Sequence, residues 1–142
     1  MDEALPARLV RRFYAEVWNL WSDTAAEEVL APDLEFRGSF DSVREGRAGF
    51  LAYRAEVRDA FPDFVCELQG VISEPDRAAA RLRFHGTHRG SFWGVAPSGR
   101  RIDYAGSAFF DLTAGGQIGR IWVLGDLVAL RQQLGLDARR SR

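Results

Sequence analysis

Four strand-like runs follow one another in the second half of the chain: FVCELQGVISE (64–74), AAARLRFHGTHRG (78–90), RRIDYAGSAFFDL (100–112) and QIGRIWVLG (117–125). The turn-forming segments EPDR, APSGR and TAGGQ separate them. Such short connections predict neighbouring antiparallel strands. A last helix, LVALRQQLG (127–135), follows them, and Gly135 is well placed just after its end as the C′ residue.

The first half of the chain is predicted to be mainly helical. Residues 4–20 carry apolar side chains at close to helical spacing, and a second short helix, AAEEVLA (25–31), can be capped by Asp23 and Thr24. LEFRGSF (34–40) reads as a short strand, and a third helix is expected over residues 48–60, closed by Pro62. Helices segregated from antiparallel strands indicate an α+β fold. A strongly curved sheet wrapped over these helices would form a cone with a small-molecule pocket.

Length and composition indicate the number of domains and exclude several classes of function. The chain has 142 residues, which predicts a single domain over 1–142 with a core that needs no metal or disulfide. The net charge of −1 gives no electrostatic case for nucleic-acid binding. All 19 basic residues are arginine, so Schiff-base lysine chemistry is excluded. The N-terminus lacks an apolar signal region and no run reaches membrane-span length, which favours a cytoplasmic protein without membrane contact.

The second long strand separates the two histidines. Alternation places Phe84, Gly86 and His88 on one apolar face, and His85 on the other face with arginines. Two strand residues three apart point to opposite faces and cannot easily share an ion, so no metal site is predicted in HGTH. A histidine on an apolar face is more often a hydrogen-bonded core residue than a catalyst. The arginines 81, 83 and 89 are most simply a solvated or dimer-facing surface.

The last strand ends at an aspartate. Strict alternation places Ile118, Arg120, Trp122, Leu124 and Asp126 on one face, and Ile121 and Val123 on the other. If Trp122 and His88 face the inside of the cone, Asp126 lies near its mouth, where partial desolvation disfavours the charged carboxylate and suits general acid–base work. Asp126 also directly precedes a helix and could accept the backbone N–H of Val128 or Ala129. The sequence does not decide between helix cap and catalyst.

Several elements resemble those of the SnoaL-like polyketide cyclases, also called ester cyclases. They are REGRAGF (44–50), AFPDF (60–64), FHGTHRGSFWGVAPSGRRI (84–102) and GGQIGRIWVLGDLVALRQQLG (115–135). The resemblance covers nearly the whole chain and implies the nuclear transport factor 2-like cone fold. In the aromatic polyketide cyclases of that family, the aspartate in the position of Asp126 is the general acid–base catalyst of an intramolecular aldol ring closure, without metal or cofactor.

The resulting hypothesis is a cofactor-independent cyclase for an aromatic or polycyclic polyketide. It takes Asp126 and His88 as catalytic, with no metal and no cofactor. A small hydrophobic substrate is the expected partner, together with a second copy bound through the outer sheet face, as in resembling proteins. The residues assigned to substrate binding are Tyr14, Trp18, Arg37, Phe84, Phe92, Tyr104 and Trp122. The aromatic members of this set, Tyr14, Trp18 and Tyr104 above all, are equally well explained as core packing.

The sequence also departs from the cyclase pattern. Those enzymes carry a second pocket histidine on the penultimate strand, where this chain has Ala108. His88, Tyr104 or Arg37 could replace it. Two alternatives stay open: a cofactor-free hydroxylase or an epoxide-opening or isomerising enzyme on the same fold, and a non-catalytic ligand-binding module. The missing histidine favours the binding module. Epoxide hydrolysis would need an Asp–Arg–Asp arrangement from Arg101, Asp103 and Asp126, but Arg101 and Asp103 are predicted to face away from the pocket.

Overall fold

A computed structural model describes residues 3–40 and 42–136. Four helices were expected, and each is present. They are α1 (Leu5–Arg12), which continues as a π-helical segment over Phe13–Trp18, α2 (Asp23–Val29), α3 (Gly46–Ala60) and α4 (Leu127–Gln133). The predicted cap of α2 is wrong by one residue, because the hydroxyl of Ser22, not Asp23 or Thr24, accepts the backbone N–H of Ala25 at 3.0 Å. Within the described residues, no helix is long and apolar enough to cross a membrane.

The strands form one six-stranded mixed sheet in the order β2–β1–β6–β5–β4–β3. Their bounds are β1 Leu30–Arg37, β2 Val43–Glu45, β3 Val65–Ser73, β4 Arg77–Thr87, β5 Arg101–Leu112 and β6 Ile118–Gly125. The four predicted runs correspond to β3–β6 and pair antiparallel in sequence order. The short strand predicted over 34–40 begins earlier, at Leu30, and pairs parallel with β6. The three-residue strand β2 was not predicted.

One face of the sheet is covered by the helices and carries the core. Its buried side chains include Leu82, Phe84, Tyr104, Phe110 and Ile121, which meet Phe13, Val17, Phe50 and Val57 from the helices. The sheet is open at both edges and curves over the helices, as expected of the α+β cone. The cone's interior is therefore the inner face of β4, β5 and β6 together with α1 and α3.

Alternation predicts the inner face correctly along β4 and wrongly along β6. In β4, Ala78, Ala80, Leu82, Phe84 and Gly86 are all buried, with no interruption of the period. In β6, Ile118 and Ile121 are both buried although they are three residues apart. The reason is a β-bulge: Asp111 pairs with Arg120 and Leu112 with Ile118, so β6 holds one extra residue, Gly119. Residues beyond Gly119 therefore change face relative to Ile118.

The end of α4 has the predicted geometry. Gly135 has φ +83° and follows the C-cap Leu134. The N–H of Gly135 donates to the Gln132 carbonyl at 3.1 Å, and that of Leu136 to the Arg131 carbonyl at 2.7 Å. These two bonds form a Schellman motif, which fixes the direction in which the chain leaves the helix.

Candidate active site

A small cavity lies inside the cone. Its volume is about 20 Å³, which is room for one water-sized group. The residues around it come from the helices, the β1–β2 connection and the sheet: Tyr14, Trp18, Phe36, Ser39, Phe40, Tyr53, Val57, Phe64, Phe84 and Val123. Most of these side chains are apolar, and the hydroxyls of Tyr14, Ser39 and Tyr53 are the exceptions. Among the residues assigned to substrate binding from sequence, Tyr14, Trp18 and Phe84 border this cavity.

The interior of the cone contains buried tyrosine hydroxyls. Tyr14 and Tyr104 are 2% and 1% exposed, and neither hydroxyl has a hydrogen-bond partner among the described residues. Burial is the largest effect on Tyr14, Tyr53 and Tyr104 and raises the pKa of each phenol well above its ordinary value, whereas Ser39, beside Tyr53 and Tyr104, acts in the opposite direction on those two. At neutral pH these phenols are therefore uncharged O–H donors.

Asp126 follows β6 and begins α4. Its Oδ1 accepts the backbone N–H of Ala129 at 3.1 Å, so the capping interpretation is confirmed. The side chain is exposed, and the predicted desolvation beside Trp122 and Leu124 is wrong. The physical reason is the bulge at Gly119, which turns Trp122 and Leu124 to the outer face.

The strand end that carries Asp126 nonetheless packs against the interior hydroxyls. A Cβ placed on Gly125 would lie 3.1 Å from Cβ of Ser39 and 3.2 Å from Cε2 of Tyr104. The absence of a side chain at residue 125 thus allows β6 to approach both groups. The backbone N–H of Asp126 donates to the Ala105 carbonyl at 2.9 Å, which holds this end of β6 against β5. Asp126 therefore stands at the rim of the cone, one residue after Gly125, which packs against Ser39 and Tyr104.

His88 lies on the inner side, as predicted, but it does not border the cavity. Its side chain is fully buried, its ring centroid is 5.8 Å from that of Phe61, and Nδ1 is 2.8 Å from the Ser98 hydroxyl. Its backbone also pairs with Arg100 and Gly99 across the β4–β5 loop. These contacts join the two ends of that loop, so His88 has a structural role there. Its Nε2 has no partner in the described part of the chain, and no contact supports the catalytic role assigned from sequence.

Two residues assigned to the pocket lie on the opposite face of the sheet. Trp122 is 45% exposed on the outer face, and the Arg37 guanidinium stacks over its ring at 5.3 Å. Arg37 pairs directly with Trp122 in the parallel β1–β6 register. The prediction that Trp122 faces the inside of the cone is wrong, because the bulge in β6 reverses the face on which Trp122 was placed. Arg37 is thereby excluded as a replacement for the second pocket histidine.

Phe92 belongs to an aromatic cluster near the cavity. Its ring lies 4.9 Å from Phe40 and 4.8 Å from Trp93, and Phe40 borders the cavity directly. Trp93 and Gly94 both have positive φ, 50° and 74°, in a tight turn closed between Phe92 and Val95. The guanidinium of Arg131 on α4 lies 5.5 Å from the Trp93 ring. The β4–β5 loop thus covers the Phe40 side of the interior.

The epoxide-opening arrangement does not form. Asp103 pairs with Arg83 at 2.6 Å and Arg101 contacts His85 at 3.1 Å, all on the outer face as predicted. Within residues 3–40 and 42–136, no group of three or more His, Cys, Asp or Glu side chains is placed to hold a metal ion. Sequence reasoning missed two site residues, Ser39 and Tyr53. Tyr53 could have been found from its helical spacing with Phe50 and Val57, whereas Ser39 lies in a connection that carries no periodic signal.

Comparison with known proteins places this geometry in a family. The SnoaL-like polyketide cyclase profile matches residues 8–134, nearly the whole described chain. The chain belongs to the SnoaL-like polyketide cyclase family. Its α+β cone is the nuclear transport factor 2-like fold of that family. The expectation drawn from the sequence motifs is confirmed for both family and fold.

Solved structures agree with this assignment. TsrD from Streptomyces laurentii is 27% identical, with 95% of this chain and 98% of that chain covered and a TM-score of 0.81. IdmH from Streptomyces antibioticus is 26% identical, covers 92% and 99%, and has a TM-score of 0.79. A SnoaL-like polyketide cyclase from Agrobacterium tumefaciens, 24% identical over 94% and 100% with a TM-score of 0.76, shares the fold. No curated protein matches the chain in sequence.

Proposed function

We propose that this SnoaL-like protein is a cofactor-independent enzyme that moves a proton at the carbon next to a ketone, in the manner of a polyketide cyclase. The observation that carries the proposal is the position of Asp126 within the family's terminal motif, at the rim of the cone and one residue from Gly125, which packs on Ser39 and Tyr104. The Asp126 side chain is exposed, and a carboxylate there can act as a general base on a substrate that reaches the rim.

The proposed reaction balances without a metal or cofactor. The Asp126 carboxylate accepts a proton from the carbon α to a carbonyl, and the C–H electron pair becomes an enolate. The enolate carbon forms a bond to a second carbonyl carbon of the same substrate, whose oxygen takes up the electron pair. The Asp126 carboxylic acid then returns its proton to that oxygen, which leaves a ring alcohol and regenerates the carboxylate. Neutral tyrosine hydroxyls inside the cone suit an environment where negative charge develops on oxygen.

The first half of this reaction can be tested without the natural substrate. The probe is 2-tetralone, a bicyclic ketone whose C1 protons are both benzylic and α to the carbonyl. In D₂O at pH 7, we expect the wild-type protein to accelerate loss of the C1 proton signal beyond the buffer rate, as followed by proton NMR. An exchange rate equal to that of buffer, at protein concentrations that bind the ketone, would contradict the proposal.

A non-catalytic binding module is the second candidate, favoured by one observation. Asp126 already has a structural role as the cap of α4, so its presence does not by itself require chemistry. A binding module would bind 2-tetralone saturably without exchange of its C1 protons. The NMR measurement therefore separates the two candidates, since only the enzyme accelerates exchange.

We also propose that the outer sheet face binds a second copy of the chain. One row of paired residues crosses all six strands on this face: Ile72, Ala79, Phe109, Trp122, Arg37 and Val43. Ile72, Phe109 and Val43 are 78%, 46% and 65% exposed, and a groove of about 550 Å³ lies among Ile72, Phe109 and Trp122. Contiguous exposed apolar surface of this kind typically marks an interaction site.

The charges beside this row suit a like partner. The adjacent row carries both signs of charge, and Arg120 pairs with Glu35 at 2.9 Å. In order across the sheet its members are Arg77, Asp111, Arg120, Glu35 and Glu45. A surface with both signs interleaved can pair with its own copy across a two-fold axis, because each positive group can face a negative one. The self-complementary charges favour a homodimer over a partner of uniform charge.

Trp122→Glu is expected to convert the dimer to a monomer. A carboxylate in the centre of the apolar row would be buried without a partner in the interface, which costs several kcal/mol of association free energy. Light scattering coupled to size exclusion should give twice the mass of one chain for the wild type and the mass of one chain for the variant. Val128→Glu, at a side chain on α4 that is 65% exposed and not part of the outer-face row, is the matched control and should remain dimeric. A monomeric wild type would refute the interface.

A further inference from the structure

Two buried phenol groups inside the cone lack hydrogen-bond partners. Tyr14, on the π-helical segment, borders the cavity, and Tyr104, on β5, adjoins it through Phe84, whose ring centroid lies 5.2 Å from that of Tyr104. Both side chains are at least 98% buried, and neither hydroxyl is bonded within the described residues. A buried polar group without a partner destabilises the folded protein, so native structures usually satisfy such groups or use them for a ligand.

The chemistry of the missing partner follows from the two donors. Both phenols are uncharged at neutral pH, because burial raises the pKa of each. Each can therefore donate an O–H into the interior, and the complementary group is an acceptor oxygen with two lone pairs. The walls around it are aromatic and aliphatic, and the cavity holds one oxygen-sized group. A ketone or enolate oxygen on an apolar molecule matches these conditions.

The location of the donors connects them to Asp126. The Tyr104 ring edge lies against Gly125, the residue before Asp126. Ala108, which replaces the family's second pocket histidine, is fully buried on the same inner face of β5 as Tyr104. The Nε2 of His88 also lacks a partner in the described residues, but His88 does not border the cavity, and Arg37 lies on the outer face. Of the three residues considered as replacements, Tyr104 is the one whose side chain packs against Gly125, next to Asp126.

We propose that Tyr14 and Tyr104 form a two-donor subsite that binds the ketone oxygen of the substrate, with Tyr104 taking the place of the missing pocket histidine. The proposal rests on the proposed function for the choice of a ketone. The body of a bicyclic ketone needs more room than the cavity offers. The proposal therefore requires a displacement of the Phe40 ring, which borders the cavity and packs on Phe92 and Trp93.

The test compares stability with binding in Tyr104→Phe and Tyr14→Phe. Removal of an unbonded buried hydroxyl should raise the Tm of the ligand-free protein by about 3 °C for a chain of this size. The same change should weaken 2-tetralone binding about tenfold, measured by calorimetric titration, because one hydrogen bond to the carbonyl is lost. The carbonyl stretch of bound 2-tetralone should shift to higher frequency in each variant. Tetralin, the same ring system without the oxygen, is the matched ligand and should bind wild type and variants equally.

Three results would overturn the subsite. The first is a lower Tm in both variants, which would show that the hydroxyls stabilise the fold. The second is an unchanged 2-tetralone affinity together with an unchanged carbonyl frequency. The third is an equal loss of tetralin and 2-tetralone binding. The outcome is independent of catalysis. Tyrosine-dependent ketone binding without C1 exchange would retain the subsite and refute the proposed enzyme. Accelerated C1 exchange with ketone binding that does not depend on either tyrosine would retain the proposed enzyme and refute the subsite.

Discussion

Asp126→Asn lowers the rate of 2-tetralone C1 exchange by about 10²–10⁴-fold, the usual contribution of a positioned general base. The amide cannot accept the proton, so the expected loss is in the chemical step. Ketone affinity should stay within about twofold of wild type, because the proposed oxygen donors are Tyr14 and Tyr104. Normal exchange in the variant would remove Asp126 from the mechanism.

The cap geometry makes this substitution a clean test. Asp126 accepts the Ala129 N–H through a side-chain oxygen, and asparagine caps helices about as well as aspartate. Thermal unfolding of Asp126→Asn should therefore match wild type closely. Asp126→Ala removes both the base and the cap, and we expect it to lose about 1 kcal/mol of unfolding free energy in addition. If both variants lose the same activity but only Asp126→Ala loses stability, the role of Asp126 as a base is separate from its role as the cap of α4.

Gly90→Ala is expected to destabilise the fold by about 3 kcal/mol. The start of the β4–β5 loop lies on the last turn of α3, where the N–H groups of Arg89 and Gly90 both donate to the Ala60 carbonyl at 2.9 and 3.0 Å. A Cβ on Gly90 would lie 2.0 Å from the backbone oxygen of Asp59. Backbone atoms cannot rotate aside as a side chain can, so the loop itself must shift. Urea denaturation measures the loss of unfolding free energy.

A second glycine provides the control. A Cβ on Gly70, in β3, would meet nothing within 4 Å, so Gly70→Ala should change stability by no more than about 0.5 kcal/mol. Limited trypsin digestion adds a local readout, since Arg89, Arg100 and Arg101 flank the loop. Faster cleavage there is expected in Gly90→Ala and not in Gly70→Ala. A Gly90→Ala protein as stable as wild type would show that the loop does not dock on α3 this closely.

Local patterns in the sequence determined much of this protein. The period-two burial of β4 is regular over its whole length, so the separation of His88 from His85 could be predicted. The Schellman end at Gly135 also follows from a residue type with a strong local preference, and capping by Asp126 was one of the two roles that the sequence allowed. Local signals succeeded here because each of these features depends on residues within a few positions along the chain.

Tertiary structure alone decided the composition of the site. The extra residue at Gly119 is visible only in the pairing of β6 with β5, and it moves Trp122 to the outer face beside Arg37. Ser39, Tyr53 and Tyr104 come from three separate elements and meet because the sheet curves over α3. The exposure of Asp126 depends on the same bulge. A single inserted residue reverses every side chain beyond it, and convergence of distant residues depends on long-range packing, so neither can be read from local sequence periodicity.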